Sequence, residues 1–236
     1  FSDDFEVKTA ANGEQGMEQA LNSIPDIIVS DIMMPVMNGI MMCKILKEDV
    51  RTSHIPIILL TAKDSLQDKE EGYQVGADSY LTKPFSATLL HSRINNLLES
   101  RKRLTERFNT STPHHNMDEK RALLAESLNK LDNEFIEKIN QLIEARLSSE
   151  KIDIGYLADN MCMSKSTLYR KMKALTGLST NEYVRKIKMQ HAERLLLEGR
   201  YNISEVAFRV GINSVVYFRQ CFKEEFGVLP SEYLKQ

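Results

Sequence analysis

Hydrophobic and polar positions follow two regimes along the 236 residues. Up to about residue 99, short runs of β-branched residues alternate with stretches in which apolar residues recur every three or four positions. "FEVKTA" (5–10), "DIIVSD" (26–31), "PIILLT" (56–61) and "DSYLTK" (78–83) read as strands. Helices are expected from about Glu14 to Asn22, from Gly39 to about Asp49, from about Ser65 to Val75, and from Ser86 into the 90s. Strands alternating with helices imply an α/β fold with a parallel sheet covered on both faces, and such sheets hold ligands at the carboxyl ends of their strands. Residues 100–117, "SRKRLTERFNTSTPHHNM", read as a polar linker whose first part prolongs the preceding helix. Beyond it glycine and proline become sparse, apolar spacing of three and four dominates, and an all-helical domain over 118–236 is expected.

The strand ends carry the first candidate chemistry. "IIVSD" runs into a bare carboxylate, Asp31, with no cation beside it in sequence. Burying an unpaired carboxylate is costly, so Asp31 faces solvent, has partners far away in the chain, or exists to be modified. Thr61 follows "IILL" directly, and Lys83 follows a strand and precedes Pro84, which disfavours helix at Lys83 and permits a cis bond. Each alone reads as an edge of the core. Together, 30 and 22 residues apart, they set a carboxylate, a hydroxyl and a cation on one rim. That set suits a carboxylate that becomes phosphorylated, with Thr61 and Lys83 able to contact the new oxygens.

The helical half contains an internal repeat. "MSKSTLYRKMKALTGLSTNEY" (163–183) and "NSVVYFRQCFKEEFGVLPSEY" (213–233) align at an offset of 50, each behind a short alanine-containing helix. A short helix, a tight turn and a longer helix beginning at Ser form a helix-turn-helix pattern, expected at about 153–177 and 203–227. In the second helices, Leu168 with Met172 and Phe218 with Phe222 face the core. This leaves Lys165, Ser166, Arg170 and Lys173, and Val215, Val216, Gln220 and Lys223, on another face. That face is either an ordinary solvated surface or a DNA contact; duplication, local charge and Ser at each helix start favour double-stranded DNA.

Charge sharpens the division. The whole chain has a net charge of −2, but residues 1–99 hold 8 basic against 15 acidic side chains and residues 163–223 hold 12 against 4. An acidic front and a basic back imply different partners, and a basic region suits a polyanion. Cys43, Cys162 and Cys221 lie far apart with no paired spacing, which suggests neither a disulfide framework nor a zinc site and fits a reducing cytoplasm. His114 and His115 read as solvated loop residues, and the methionines of "DIMMPVMNGIMMC" as core and loop. No apolar run reaches the roughly 18 residues needed to cross a bilayer.

"DIIVSDIMMPVMNG", "PIILLTAK" and "GADSYLTKPF" resemble, in order and spacing, the strand motifs of the receiver domain of two-component response regulators, over residues 1–99. The resemblance implies a flavodoxin-like fold, Asp31 as phospho-acceptor, Thr61 and Lys83 as switch residues, and Tyr80 as the aromatic that moves with Thr61. Tyr80 also reads simply as a half-buried edge aromatic. It further implies a histidine kinase as phosphoryl donor, a homodimer when phosphorylated, and Mg2+ held by Asp31 and the Met33 backbone together with an acidic pair. The pattern departs from the family at its start: the first strand and helix, with that acidic pair, are absent from the chain. Asp3 and Asp4 stand only 28 and 27 residues before Asp31, too close for the pair, and are expected to be loop residues.

From about Lys151 to Gln236 the chain resembles the AraC-type DNA-binding domain, with "ISEVAFRVGINSVVYFRQCFKEEFGVLPSEY" close to its signature. This implies seven helices, a long one from about Thr180 to Glu198 joining the two motifs, and Ser166, Arg170, Val215, Val216 and Gln220 at base-facing positions. The expected function is a phosphorylation-controlled transcription regulator that is not itself an enzyme. The alternative is the output half of a membrane-bound hybrid histidine kinase, which would tether it to the inner membrane. A receiver-like module that is never phosphorylated is disfavoured by the Asp31, Thr61, Lys83 set.

Overall fold

A computed structural model of the protein describes residues 4–62, 75–109, 129–148 and 152–234. The chain divides into two compact units, Phe1–Leu104 and Thr105–Gln236. In the first, strands β1 (Ile28–Asp31), β2 (Ile57–Thr61) and β3 (Ser79–Thr82) form a parallel sheet in the order β1-β2-β3. Helices α1 (Gly13–Ser23), α2 (Gly39–Glu48) and α3 (Ala87–Asn109) accompany them. Central β2 is apolar up to its last residue, Thr61, because both its faces are covered. Ile57 and Leu59 join Ala20, Met42, Cys43 and Leu46, from α1 and α2, on one face, while Ile58 packs with Leu81 and with Ile94 of α3 on the other. Ile57, Ile58 and Leu59 are completely buried, each contributing about 1.5–3 kcal/mol relative to exposure. Burial in this layer also pushes the Cys43 thiol up to about 11, leaving it a neutral core residue.

The architecture is the parallel sheet that the alternation implied, of the flavodoxin-like kind that the receiver resemblance implied, with one local correction. "FEVKTA" does not form a strand: residues 6–10 run without ladder partners and Val7 is exposed. β-branched composition favours extension, but a strand persists only where a neighbour takes up its N–H and C=O groups, and no described strand lies against this segment. Phe5 anchors it instead, its ring meeting His91 of α3 edge-on at 5.8 Å, while Asp4 bonds the same histidine at 3.2 Å. The helix expected from Ser65 lies outside the described residues, as do residues 110–117 of the linker. Residues 100–109 continue α3, as the pattern indicated.

The second unit is helical: α4 (Lys130–Glu144), α5 (Ile154–Asn160), α6 (Lys165–Thr176), α7 (Thr180–Leu197), α8 (Ile203–Arg209), α9 (Val215–Phe226) and α10 (Pro230–Tyr233). The repeat reaches further than the aligned segments. A long helix leads each copy, α4 before α5–α6 and α7 before α8–α9, and a tyrosine closes each back onto its leading helix. Tyr183 donates to Asn140 of α4 at 2.9 Å, and Tyr233 to Glu193 of α7. Inside each motif Met163 and Ile212 donate their N–H to the carbonyls of Ala158 and Ala207 at 2.9 Å, residues whose small side chains let the crossing helices approach. The turns differ in length: residues 161–164 link α5 to α6, residues 210–214 link α8 to α9, and Cys162 and Gly211 supply the left-handed residue. Ser164 and Ser214 then cap α6 and α9, and Gly177 and Gly227 end them in the left-handed conformation.

One buried contact ties the first motif together. Lys171, on the inner face of α6, is fully buried and bonds Asp132 of α4, itself 2% exposed, with the ammonium 5.0 Å from the centre of the Phe135 ring. Two charges taken out of water roughly cancel each other's cost, whereas either alone does not. Lys171→Met is therefore expected to cost about 3–5 kcal/mol in urea unfolding of the helical unit. The double replacement Lys171→Met with Asp132→Leu should recover most of the loss. A single variant costing under about 1 kcal/mol would show that the pair does not hold α6 to α4.

Candidate functional site

Parallel pairing decides what meets at the sheet rim. Asp31 lies in register with Leu60, and Thr61 with Thr82, so Asp31, Thr61 and Lys83 emerge side by side at the carboxyl ends. The Lys83 N–H donates to the Thr61 carbonyl at 2.8 Å, which extends the β3 pairing by one residue, and the Lys83–Pro84 peptide is cis. The Lys83 ammonium bonds Asp31 Oδ2, and Oδ1 accepts the Met33 N–H at 3.3 Å. Asp31 therefore has its cation, 52 residues away in sequence. Thr61 is 1% exposed and its hydroxyl donates to the Ala62 carbonyl at 3.2 Å. Tyr80 is half-buried in β3 opposite Leu59 and packs on the layer formed by α1 and α2.

The loop after Asp31 is shaped by residues that periodicity did not single out. Gly39 opens α2, and its N–H donates to the Ile32 carbonyl at 2.9 Å. A Cβ there would stand 2.1 Å from the Asp31 carbonyl oxygen, so only glycine lets the helix start so close to the strand end. Gly13 is constrained likewise, since a Cβ there would stand 2.5 Å from the Met37 carbonyl oxygen. Val36 holds φ at 66°, a left-handed conformation that strains a β-branched residue, and it and Met33 are exposed. The "NG" that ends the motif was the available signal for this turn. The magnesium site expected around Asp31 and the Met33 backbone does not fit as it stands. Magnesium takes about six oxygens, while one Asp31 oxygen is bonded to Lys83 and no cluster of three metal-binding side chains occurs among the described residues.

In the helical unit, α6 exposes Lys165, Ser166, Arg170 and Lys173 while Leu168 and Met172 are completely buried. Tyr169, half exposed, stands four residues after Lys165 and four before Lys173, and so shares their face; the same spacing could have found it. On α9, Val216, Gln220 and Lys223 are exposed, Val215 is half-buried, and Phe218 and Phe222 are buried. Arg219 and Tyr217 are further exposed residues there, and Gln220 donates to Glu224 at 3.0 Å. Each motif thus presents one helix with a buried inner face and an exposed outer one, mostly basic on α6 and mixed on α9.

The response regulator receiver domain model matches residues 2–95, and a helix-turn-helix domain model matches residues 157–236. The chain joins a receiver domain to an AraC-type helix-turn-helix domain. Histidine kinase P4 of Formosa agariphila is 35% identical over 230 residues, 98% of this chain and 16% of that protein. The transcriptional regulatory protein CiaR of Streptococcus pneumoniae is 43% identical over 100 residues, 42% of this chain and 44% of its own. The chain spans less than half the length of the curated relatives it matches. Among solved structures, the Francisella response regulator 1452 receiver domain shares 36% identity over 42% of this chain and 80% of that one, with a TM-score of 0.39. The C-terminal domain of AraT, a response regulator from Geobacillus stearothermophilus, shares 31% over 43% and 84%, with a TM-score of 0.40. No helix among the described residues is long and apolar enough to cross a membrane.

The side chains of Lys83 and Asp31 in the receiver rim are 43% and 36% exposed. Solvent screens a pair so open, so its contribution to stability is small. Lys83→Gln should lower the unfolding free energy measured in urea by less than about 1 kcal/mol. A loss of several kcal/mol would make Lys83 a structural residue of the sheet edge.

Proposed function

We propose that a histidine kinase transfers a phosphoryl group to Asp31 and that this transfer regulates sequence-specific binding of double-stranded DNA by the C-terminal domain. The observation that carries the reading is the solvent-open Asp31 carboxylate against the Lys83 ammonium, in one chain with two helix-turn-helix motifs. The receiver occupies residues 1–99, the linker 100–117 and the DNA-binding domain 118–236. An Asp31 oxygen attacks the phosphorus of a phosphohistidine, forming a P–O bond as the P–N bond breaks, and the imidazole leaves with a proton. Lys83 then faces phosphoryl oxygens in place of a carboxylate oxygen, a charge-assisted contact, and Thr61 and Tyr80 move toward the modified side chain.

One observation favours the hybrid form of this reading. The Formosa agariphila histidine kinase matches across both domains and the stretch between them, while this chain covers only 16% of it. We infer that the chain is the output part of such a protein, on the cytoplasmic side, with the kinase in another part. The chain itself then accepts phosphate and binds DNA without being an enzyme.

Phosphorylation adds about −1.5 to −2 of charge at the rim and is expected to drive association of two chains through the side of the receiver carrying Tyr80 on the edge strand β3, the helix expected over residues 65–75 and α3. Sedimentation with and without a phosphoryl mimic, on a chain extended upstream, should show the change from monomer to dimer; equal masses would overturn it.

The two motifs should protect two short DNA segments about one helical turn, roughly 34 Å, apart. Arg170→Ala should cost about 1–3 kcal/mol on the preferred site and relax selectivity at one base pair, as for a bidentate contact to guanine. Lys223→Ala should weaken all sequences alike and lower the salt dependence by about one ion, as for a phosphate contact. Equal weakening of preferred and random DNA by Arg170→Ala would remove Arg170 from base reading.

A further inference from the structure

The two recognition helices are not chemically equivalent. On α6 the outward residues Lys165, Ser166, Arg170 and Lys173 all offer hydrogen-bond donors. On α9 the N-terminal turn instead offers Val216, 77% exposed, beside half-buried Val215. Gln220, one turn further along that face, already donates to Glu224 at 3.0 Å. A valine so exposed gains nothing for the fold, because the core side of α9 is filled by Phe218, Cys221 and Phe222.

The surroundings of Val216 fit a polyanion. Val216, Gln220 and Lys223 fall at i, i+4 and i+7 on one face, with Arg219 exposed beside them, so the apolar tip sits at the start of a basic strip. The first residues of a recognition helix are those that reach base edges, and those further along meet phosphates. A branched aliphatic side chain at that place can form no hydrogen bond. The one apolar group that base pairs present in the major groove is the C5-methyl of thymine.

We propose that Val216 reads a thymine methyl, so that the second motif selects a thymine-bearing half-site one helical turn from the half-site contacted by Arg170. The inference rests on the DNA-binding reading above and assigns the base class that the second motif recognises. Removing the thymine methyl from such a contact should weaken binding about threefold to fivefold, and Val216→Ala, which removes two carbons, by at least as much. The two removals should not add, because both delete the same contact.

The test begins by selecting duplexes from a random-sequence pool with the 236-residue chain, then replacing each thymine of the selected site by deoxyuridine, which lacks only the methyl. The expected result is one thymine, in the half-site away from the Arg170-sensitive base pair, whose replacement costs about threefold to fivefold. That cost should vanish in Val216→Ala and persist in Arg170→Ala. Val216 is exposed, so its replacement leaves folding intact, which urea unfolding checks. Selected sites with no fixed thymine in that half, or a deoxyuridine cost unchanged in Val216→Ala, would overturn the proposal while leaving DNA binding standing. Failure to enrich any sequence would overturn both.

Discussion

Because β1, β2 and β3 run parallel, their carboxyl ends share one edge, and the receiver domain's candidate chemistry depends on that alignment. In an antiparallel sheet of the same order Thr61, on the central strand, would leave from the end opposite to Asp31 and Lys83. Among the described residues α1 and α2 cover one face of the sheet and α3 the other, so β2 is apolar at every position except its exit. Thr61 is that exit. Gly39 completes the constraint from the other side: α2 starts against the Asp31 carbonyl because glycine has no Cβ to collide with it. The position of the carboxylate is thus fixed by backbone pairing below it and a helix start above it, while its side chain stays open to solvent.

The helical unit solves a different problem, holding two small helix pairs rigid enough to present a surface. A helix of seven residues such as α5 or α8 cannot persist alone, so each depends on packing against the longer helices. Each copy therefore includes a leading helix and a closing tyrosine, with α7 serving as both the end of one copy and the start of the next. The copies diverge inside. The first uses a buried Lys171–Asp132 pair where the second places Cys221 in an aromatic core with Phe218 and Phe222.

Much of this was legible in the sequence because it is written in periodicity. The three described strands, the helices around them and both helix-turn-helix motifs are set by apolar spacing and by Ser, Asn and Gly at their ends. The rim set followed from strand ends that carry polar residues. What escaped the sequence is what depends on distant partners. "FEVKTA" has strand composition yet forms none, since composition does not supply a neighbour. Lys171 looked like one more basic residue of a basic helix, and only Asp132, 39 positions earlier, makes it a core residue. The long helix from about Thr180 was expected and forms as α7, but the matching role of α4 escaped because the two helices share it without sharing a recognisable sequence.

The two lysine–aspartate pairs show how burial alone divides one chemistry into two functions. Lys171 and Asp132 are closed to water, so exchanging or modifying either partner leaves a charge that nothing can solvate, and the pair is fixed once the domain folds. Lys83 and Asp31 meet in the same way, but more than a third of each side chain is open. Water can replace either partner at small cost, so the contact can be broken, rebuilt around added oxygens and broken again without endangering the sheet. A site that must be modified reversibly needs a pair whose energy is small compared with the stability of the domain. An exposed pair on either side of a central strand whose Ile57, Ile58 and Leu59 are completely buried meets that requirement, because the rigidity comes from those three residues and the responsiveness from the rim.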